Sequence, residues 1–199
     1  MAAAVPSRML PDGLELARDA ITPEQEARLI EACARCDLAY YEQDPGNPRS
    51  RKSFGWEYDI AGDRFSLGDP VPEAFHGVRA LAAEFSGVAE RDIVDCMVIH
   101  YEPGALIQPH YDKPVFDQIV GLSLASDCEM VFSKPAELGG EEISVTLPRR
   151  AMFRMTGDAR FVFRHAIPPV SHARWSLTFR SLTPAGEALR AAFANVARD

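Results

Sequence analysis

His110-Tyr111-Asp112 decides how the rest of this chain is read. In an extended segment, residues i and i+2 project to the same side, so His110 and Asp112 present an imidazole and a carboxylate together while Tyr111 turns away. They are two of the three ligands of a 2-His-1-carboxylate site, a set that holds Fe(II) and leaves coordination positions open. The third ligand has to be a histidine further along, and only His165 and His172 follow. His172 comes after Pro168-Pro169 in a Pro/Ser turn and is expected at the surface. His165 lies in Arg160-Phe161-Val162-Phe163-Arg164-His165. Read as a strand over 160–166, this segment places His165 on one apolar face with Phe161 and Phe163, and turns Arg160, Val162 and Arg164 away. A lone inward histidine is ordinarily a core residue, but an H-x-D on an earlier strand makes His165 the better third ligand.

The stretch Arg174-Trp175-Ser176-Leu177-Thr178-Phe179-Arg180 alternates strictly, polar at even positions and apolar at odd ones. Beside the third ligand, such a strand is expected to pack its apolar face under helices and to line a polar cavity with the other. Arg174 and Arg180 stand roughly 20 Å apart at ~3.3 Å per residue. Leaning toward each other, they would grip the two ends of a small dicarboxylate, because the planar guanidinium fork matches a carboxylate in two hydrogen bonds.

Outward from this core, Thr22-Pro23-Glu24-Gln25 reads as a helix start, with Thr22 as N-cap and Gln25 completing a capping box. That helix is expected to run to about Ala34, after an irregular entry over 1–20 with a short strand near 13–17. A second helix is expected over 72–86, stopped by Gly87. From Ile93 the pattern becomes short strands near 94–101, 106–110, 118–125, 128–134, 142–147, 150–155, 160–166 and 173–182, with turns at 102–104 and Gly139-Gly140. A short helix over 185–197 closes the chain. The fold class is α+β, mainly β: a two-sheet jelly roll with N-terminal flanking helices.

The 199 residues are enough for one domain with a sizeable core. A hydrophobic share of 47% and a charged share of 25% are ordinary for a globular protein. No apolar run is long enough to span a membrane, and Met1–Pro6 is too short and interrupted for a signal peptide. Four cysteines are not a disulfide framework, so a cytoplasmic location is expected. The lone pair Cys33-x-x-Cys36 reads as structural. A net charge of −8 argues against a sequence-blind nucleic-acid binder. It leaves room for a local basic face, and Arg149, Arg150, Arg154, Arg160 and Arg164 could form one, or simply a solvated strand surface. Residues 41–50 read as a mobile loop. Beyond it, Arg51-Lys52-Ser53-Phe54-Gly55-Trp56-Glu57-Tyr58 interleaves basic and aromatic residues. Trp56 and Tyr58 are either part of a half-buried edge strand or a stacking platform for a flat ligand such as a base.

Taken together, His110-x-Asp112, His165, Arg174-x-Ser176-x-Thr178-x-Arg180, Tyr101-Glu102-Pro103-Gly104-Ala105 and Phe54-Gly55-Trp56 resemble the signature of the AlkB family of Fe(II)- and 2-oxoglutarate-dependent dioxygenases, over roughly residues 50–182. The resemblance implies a double-stranded β-helix whose oxygenase core spans 94–183 and whose substrate lid spans 45–68. It implies Fe(II) held by His110, Asp112 and His165, with no catalytic residues beyond these ligands. It implies 2-oxoglutarate held by Tyr101, Arg174, Ser176 and Arg180, O2 as oxidant, and a substrate base stacked on Trp56 with Tyr58 beside it. The implied function is oxidative demethylation of N-alkylated bases in DNA or RNA by a monomer without membrane attachment. The match departs at Ile99 and Ser176, where the bacterial repair enzymes carry Asn, and at Asp63, where their lid carries a tyrosine. Two other readings remain: the same oxygenase chemistry on a protein or small molecule, or a non-catalytic binding module. A nucleic-acid role calls for one positive groove built from Arg49, Arg51 and Lys52 together with the arginines of 149–164.

Overall fold

The structure is a computed structural model that describes residues 10–40 and 44–196. The opening of the expected entry segment (1–9), part of the expected loop (41–43) and the end of the expected final helix (197) lie outside the described residues, as do 198–199. In chain order the elements are β1 (Leu14–Ala17), α1 (Pro23–Ala34), β2 (Ala39–Tyr40), β3 (Arg49–Asp59), β4 (Arg64–Leu67), α2 (His76–Ser86), β5 (Asp95–Tyr101), β6 (Ile107–His110), β7 (Phe116–Leu124), β8 (Cys128–Ser133), β9 (Glu142–Leu147), β10 (Met152–Met155), α3 (Gly157–Phe161), β11 (Arg164–Ile167), β12 (Arg174–Leu182) and α4 (Pro184–Val196).

Two antiparallel sheets form a jelly roll. The large one runs β1-β10-β7-β12-β5-β3-β2, with β4 paired to β3, and the small one runs β6-β11-β8-β9. The alternation in β12 decides how they stack. Its odd residues Leu177 and Phe179 join Val98, Val120 and Leu122 against Leu29, Cys33, Phe75, Val78 and Ala82 of the helical layer. The opposite face of the same sheet packs Ile99, Tyr101, Ile119, Phe153 and Met155 against Met130, Phe132, Val145 and Leu147 of the small sheet. The even residues of β12 therefore look into the space between the sheets. Gly121 of β7 lets this floor close: a Cβ there would stand 2.2 Å from the Phe153 ring.

α1 begins as its sequence dictates. Thr22 Oγ1 accepts from the Gln25 amide, and Gln25 Oε1 accepts from the Thr22 amide. α2 follows a single 3-10 turn at Glu73–Phe75 and ends at Gly87, whose φ of 70° is the left-handed C-cap. The Cys33 thiol is buried, and burial foremost pushes its pKa up to about 12, which suits a packing role.

Two expectations are corrected. The segment 160–166 is not one strand: Gly157–Phe161 is a helical turn, and β11 begins only at Arg164. The Arg160 amide donates to Thr156 O and the Ala159 amide to Asp12 O, so local helical bonds and a contact with the entry segment outcompete extension. Phe161 is consequently exposed and Arg160 buried, the reverse of the expected parity, whereas Phe163 and His165 do face inward.

The arginines of 149–164 likewise do not form one basic face. Arg149 and Arg150 pair with buried Glu26 of α1, and Arg150 also pairs with Asp19. Arg154 pairs with Glu15 and donates to Ser86 O at the end of α2. These three lie on the helix-covered back of the large sheet and are neutralised there, while Arg160 is inside the fold. Sequence proximity had grouped residues that the strand, turn and helix then send in different directions.

Glu26 is the acidic centre of that back face. Its carboxylate accepts from Arg149 Nη2 at 2.7 Å and from the Ala125 amide at 2.9 Å. Burial alone would raise its pKa, but the bonds from Arg149 and Ala125 and the charges of Arg149 and Arg150 outweigh it and hold the pKa below the ordinary value. Because half-exposed Arg149 is partly screened by solvent, Glu26→Ala should lower stability by about 1–3 kcal/mol, measured by urea unfolding. A depressed carboxyl pKa means that the unfolded chain binds the proton first. The Glu26 contribution should therefore be present above the ordinary carboxylate range and vanish as pH falls through the folded value, narrowing the gap between wild type and variant in acid.

Candidate metal and co-substrate site

β6 and β11 pair antiparallel with His110 directly opposite His165. Their imidazole centroids stand 4.3 Å apart. Asp112 lies two residues past the end of β6, and its Oδ2 is 3.6 Å from His165 Nε2. One ligand atom from each of His110, Asp112 and His165 lies within 4.8 Å of those of the other two. His110 Nδ1 is engaged by Gln108 O at 2.9 Å, which leaves Nε2 for a metal and fixes the ring.

The charge states suit a divalent cation. Burial foremost lowers the His165 pKa to about 4, so its imidazole is neutral at neutral pH. Burial would raise Asp112, but Arg180 first, then His165, His110 and Arg160, outweigh it and hold the carboxyl below its usual value. Two imidazoles and one anionic oxygen donor in a half-enclosed corner fit Fe(II).

The four polar residues of β12 enter the same cavity. Arg174 pairs in register with Tyr101, Ser176 with Ile99, Thr178 with Met97 and Arg180 with Asp95. The cavity measures about 590 Å³ and is lined by both sheets, including the three candidate metal ligands and all four polar residues of β12. Arg174 is 1% exposed. Its guanidinium sits 4.6 Å from the Tyr101 ring centroid, and Nη2 donates to Ser123 Oγ at 3.1 Å. Among the described residues no carboxylate pairs with it, and its Nε has no acceptor. A buried cation without a counter-charge is costly, and a carboxylate brought by a ligand would relieve that cost.

Arg180 behaves differently. It is ion-paired to buried Asp95 and stands 3.9 Å from Asp112 Oδ1. Burial opposes its charge, but Asp95 and Asp112 outweigh burial and raise its pKa. Among the described residues Arg174 thus meets no anion, while Arg180 meets two protein carboxylates, one of them a candidate metal ligand, and keeps its Nε without an acceptor in the same cavity.

Comparison with known proteins agrees with this geometry. Residues 13–181 match the family model described as the 2OG-Fe(II) oxygenase superfamily. The chain belongs to this superfamily. It is 29% identical over 168 residues to the Xenopus tropicalis tRNA (carboxymethyluridine(34)-5-O)-methyltransferase alkbh8, a match covering 82% of this chain and 26% of that protein. It is 25% identical to the Arabidopsis thaliana RNA demethylase ALKBH9B, covering 86% of this chain and 39% of that one. The chain thus spans about a quarter of the length of the alkbh8 relatives it matches. The solved structure of OsALKBH1 superposes with a TM-score of 0.64 at 15% identity, covering 88% of this chain and all of that one, which shows a shared fold. The AlkB-type resemblance is borne out by these relatives. Membership makes the chain an oxygenase whose cofactors are Fe(II), 2-oxoglutarate and O2. No helix among the described residues is long and apolar enough to cross a membrane.

In this oxygenase the hairpin β3–β4 overhangs the cavity. Arg49, Arg51 and Ser53 line it, and Glu57, Tyr58, Asp59, Ile60 and Ser66 form its outer wall. Gly55 has a φ of +84°, and a Cβ there would meet Val94 O at 2.4 Å. β3 leaves β5 at this glycine and continues paired only to β4. Both aromatics proposed as a stacking platform lie beyond this glycine and pack on Phe65, with ring centroids 5.1 Å (Tyr58) and 6.4 Å (Trp56) away. Tyr58 lines the cavity, with its hydroxyl donating to Asp63 Oδ1 at 2.5 Å. Trp56 does not line it: the indole packs edge-on against Phe65, with Arg190 of α4 5.5 Å from its ring. Lys52 also misses the cavity and pairs with Asp69.

Sequence reasoning passed over three residues that organise the oxygenase site. Asp95 answers Arg180 across β5 and β12. Lys113 follows Asp112 and donates to Tyr58 O, joining the hairpin to the turn after Asp112. Arg160 holds that turn from behind. Only Asp95 left a trace in the sequence, as an acidic residue opening a mostly apolar strand.

Proposed function

We propose that this oxygenase removes N-alkyl groups oxidatively and that its substrate is an alkylated base of DNA or RNA, presented singly into the cavity. The observation that carries the reading is buried, counter-charge-free Arg174 in the same cavity as His110, Asp112 and His165. His110, Asp112 and His165 would hold Fe(II), which supplies O2 activation when bound. Arg174, with Tyr101 beside it, receives the distal carboxylate of 2-oxoglutarate through a charge-assisted fork, and Ser176 faces the same co-substrate space. Arg180 orients Asp112 and keeps it ionised. The β3–β4 hairpin, as the substrate lid, excludes water from the reacting carbon and places Tyr58 against the substrate; an enzyme of this kind acts on an extruded or single-stranded base. Overall, 2-oxoglutarate and O2 yield succinate and CO2 while one N-methyl group becomes N-hydroxymethyl, which then loses formaldehyde to leave N–H.

A second reading, the same chemistry on a protein side chain or small molecule, is favoured by one observation: Arg149, Arg150 and Arg154 lie behind the helices, so among the described residues these three build no basic track to the cavity. Mass spectrometry of methylated oligonucleotides incubated with Fe(II), ascorbate and 2-oxoglutarate separates the two. Loss of one methylene mass from the oligonucleotide supports the first reading. Succinate formation with every oligonucleotide unchanged supports the second, and absence of succinate with all substrates defeats both.

A further inference from the structure

The three candidate ligands are not held equally. His110 and His165 sit on paired strands and face each other in register. Asp112 lies beyond the end of β6, where residues 111–115 belong to no strand and have no ladder to fix them. Arg180 stands 3.9 Å from Asp112 Oδ1, and the backbone turn that carries Asp112 needs support of its own, because a metal site displaced by a fraction of an ångström loses affinity.

Arg160 is placed to do this. Its side chain is buried, and Nη2 donates to two backbone carbonyls, Lys113 O at 2.8 Å and Phe116 O at 2.7 Å. Those carbonyls bracket the turn that follows Asp112. The other end of Arg160 is anchored in α3, five residues before His165. Arg160 therefore ties the segment carrying Asp112 to the segment carrying His165, alongside a longer bond from the Tyr111 hydroxyl to Val162 O at 3.4 Å. Among the described residues no carboxylate forms an ion pair with Arg160; its burial is compensated by the two bonds to the turn and by the Phe161 ring 4.7 Å from its guanidinium. The helical turn of α3 directs Arg160 inward and leaves Phe161 outside.

We propose that Arg160 is a positioning residue that sets metal affinity by fixing the turn carrying Asp112. The proposal rests on the reading of His110, Asp112 and His165 as metal ligands, and its test separates the two. Co(II) binding to the metal-free full chain, followed by visible absorbance, is measured for wild type, Arg160→Lys, Arg160→Met, Asp112→Ala and the Asp112→Ala/Arg160→Lys double variant, with circular dichroism as a check on folding. Arg160→Met should weaken Co(II) about 10- to 100-fold, the range for losing an outer-shell partner. Arg160→Lys, which keeps the charge and can reach one carbonyl, should weaken it less. In the Asp112→Ala background the lysine change should have no further effect, because its only route to the metal has been removed; a general loss of structure would persist there. Should Arg160→Met not fold, the lysine variant and its double-mutant comparison decide the matter alone. Unchanged Co(II) affinity in a folded Arg160→Lys or Arg160→Met variant, or an equal loss in both backgrounds, overturns the proposal while leaving the ligand set intact. Failure of Asp112→Ala to weaken Co(II) overturns the ligand set itself.

Discussion

Arg174→Met should raise the KM for 2-oxoglutarate by about 10²–10³-fold, equivalent to about 3–4 kcal/mol of lost charge-assisted binding in a desolvated pocket. The same change should leave the thermal stability of the ligand-free protein unchanged or raise it. The reason lies in the asymmetry of buried charges. In the free protein Arg174 has a hydroxyl and an aromatic face for partners but no anion among the described residues. Removing an uncompensated cation and filling its space with a thioether relieves a cost rather than breaking a favourable pair. A residue that was merely structural would show the opposite pattern, with stability falling and the co-substrate KM following it. Steady-state succinate formation over a range of 2-oxoglutarate, alongside a thermal melt of the apo protein, reads both effects. A KM unchanged within a factor of about three, less than 1 kcal/mol, would remove Arg174 from the co-substrate site.

His165→Ala should abolish metal-dependent turnover, with succinate formation falling by more than about 10³-fold, because removal of one of three protein ligands costs both affinity and geometry. The effect on the apo protein carries a sign of its own. His165 is buried, and burial foremost lowers its pKa from 6.5 to about 4. Between those two values the unfolded chain binds a proton that the folded chain does not. Apo wild-type stability should therefore lose the His165 contribution progressively as pH falls from 6.5 toward 4, and the alanine variant should lack that part of the slope. Denaturant unfolding at several pH values in the presence of a chelator tests this, and identical slopes for the two proteins would contradict it.

How much of this was legible in the sequence depends on which periodicity each residue obeyed. β12 alternates without a fault, so its polar face could be placed in a cavity before any coordinates, and the structure has Arg174, Ser176, Thr178 and Arg180 there. His110 and Asp112 followed from the same two-residue period. His165 was placed correctly even though the parity beneath it broke, because only Phe163 and His165 share the strand direction; Phe161 belongs to a helical turn that contact with the entry segment stabilises. Trp56 and Tyr58 keep their shared parity beyond Gly55 and both pack on Phe65, but the indole also meets Arg190 of α4, while Tyr58 lines the cavity. The partners that matter most to electrostatics left little local signal. Glu26 meets Arg149 across 123 residues and Asp95 meets Arg180 across 85, and no pattern within a window of one strand or helix can pair them. For the same reason a run of arginines close in sequence looked like a face and proved to be ion pairs, a buried tether and a strand residue.

Two consequences for substrate recognition follow. The β3–β4 hairpin at the cavity is tied, through Lys113 and Tyr58 O, to the turn beside Asp112, so a ligand that displaces the hairpin should also disturb that turn. Among the described residues the cavity is lined by five Lys and Arg side chains, Arg49, Arg51, Lys113, Arg174 and Arg180. That limited footprint suits recognition of one nucleotide or one side chain better than a long backbone track.

The most direct measurement is anomalous X-ray diffraction at the manganese edge from anaerobic crystals grown with Mn(II), a redox-quiet stand-in for Fe(II), and 2-oxoglutarate. The expected map has one strong peak within bonding distance of His110 Nε2, an Asp112 carboxylate oxygen and His165 Nε2, with a co-substrate carboxylate across the cavity on the Arg174 guanidinium. A peak that leaves out any of the three side chains, or a 2-oxoglutarate whose far carboxylate lies away from Arg174, would contradict the site described above.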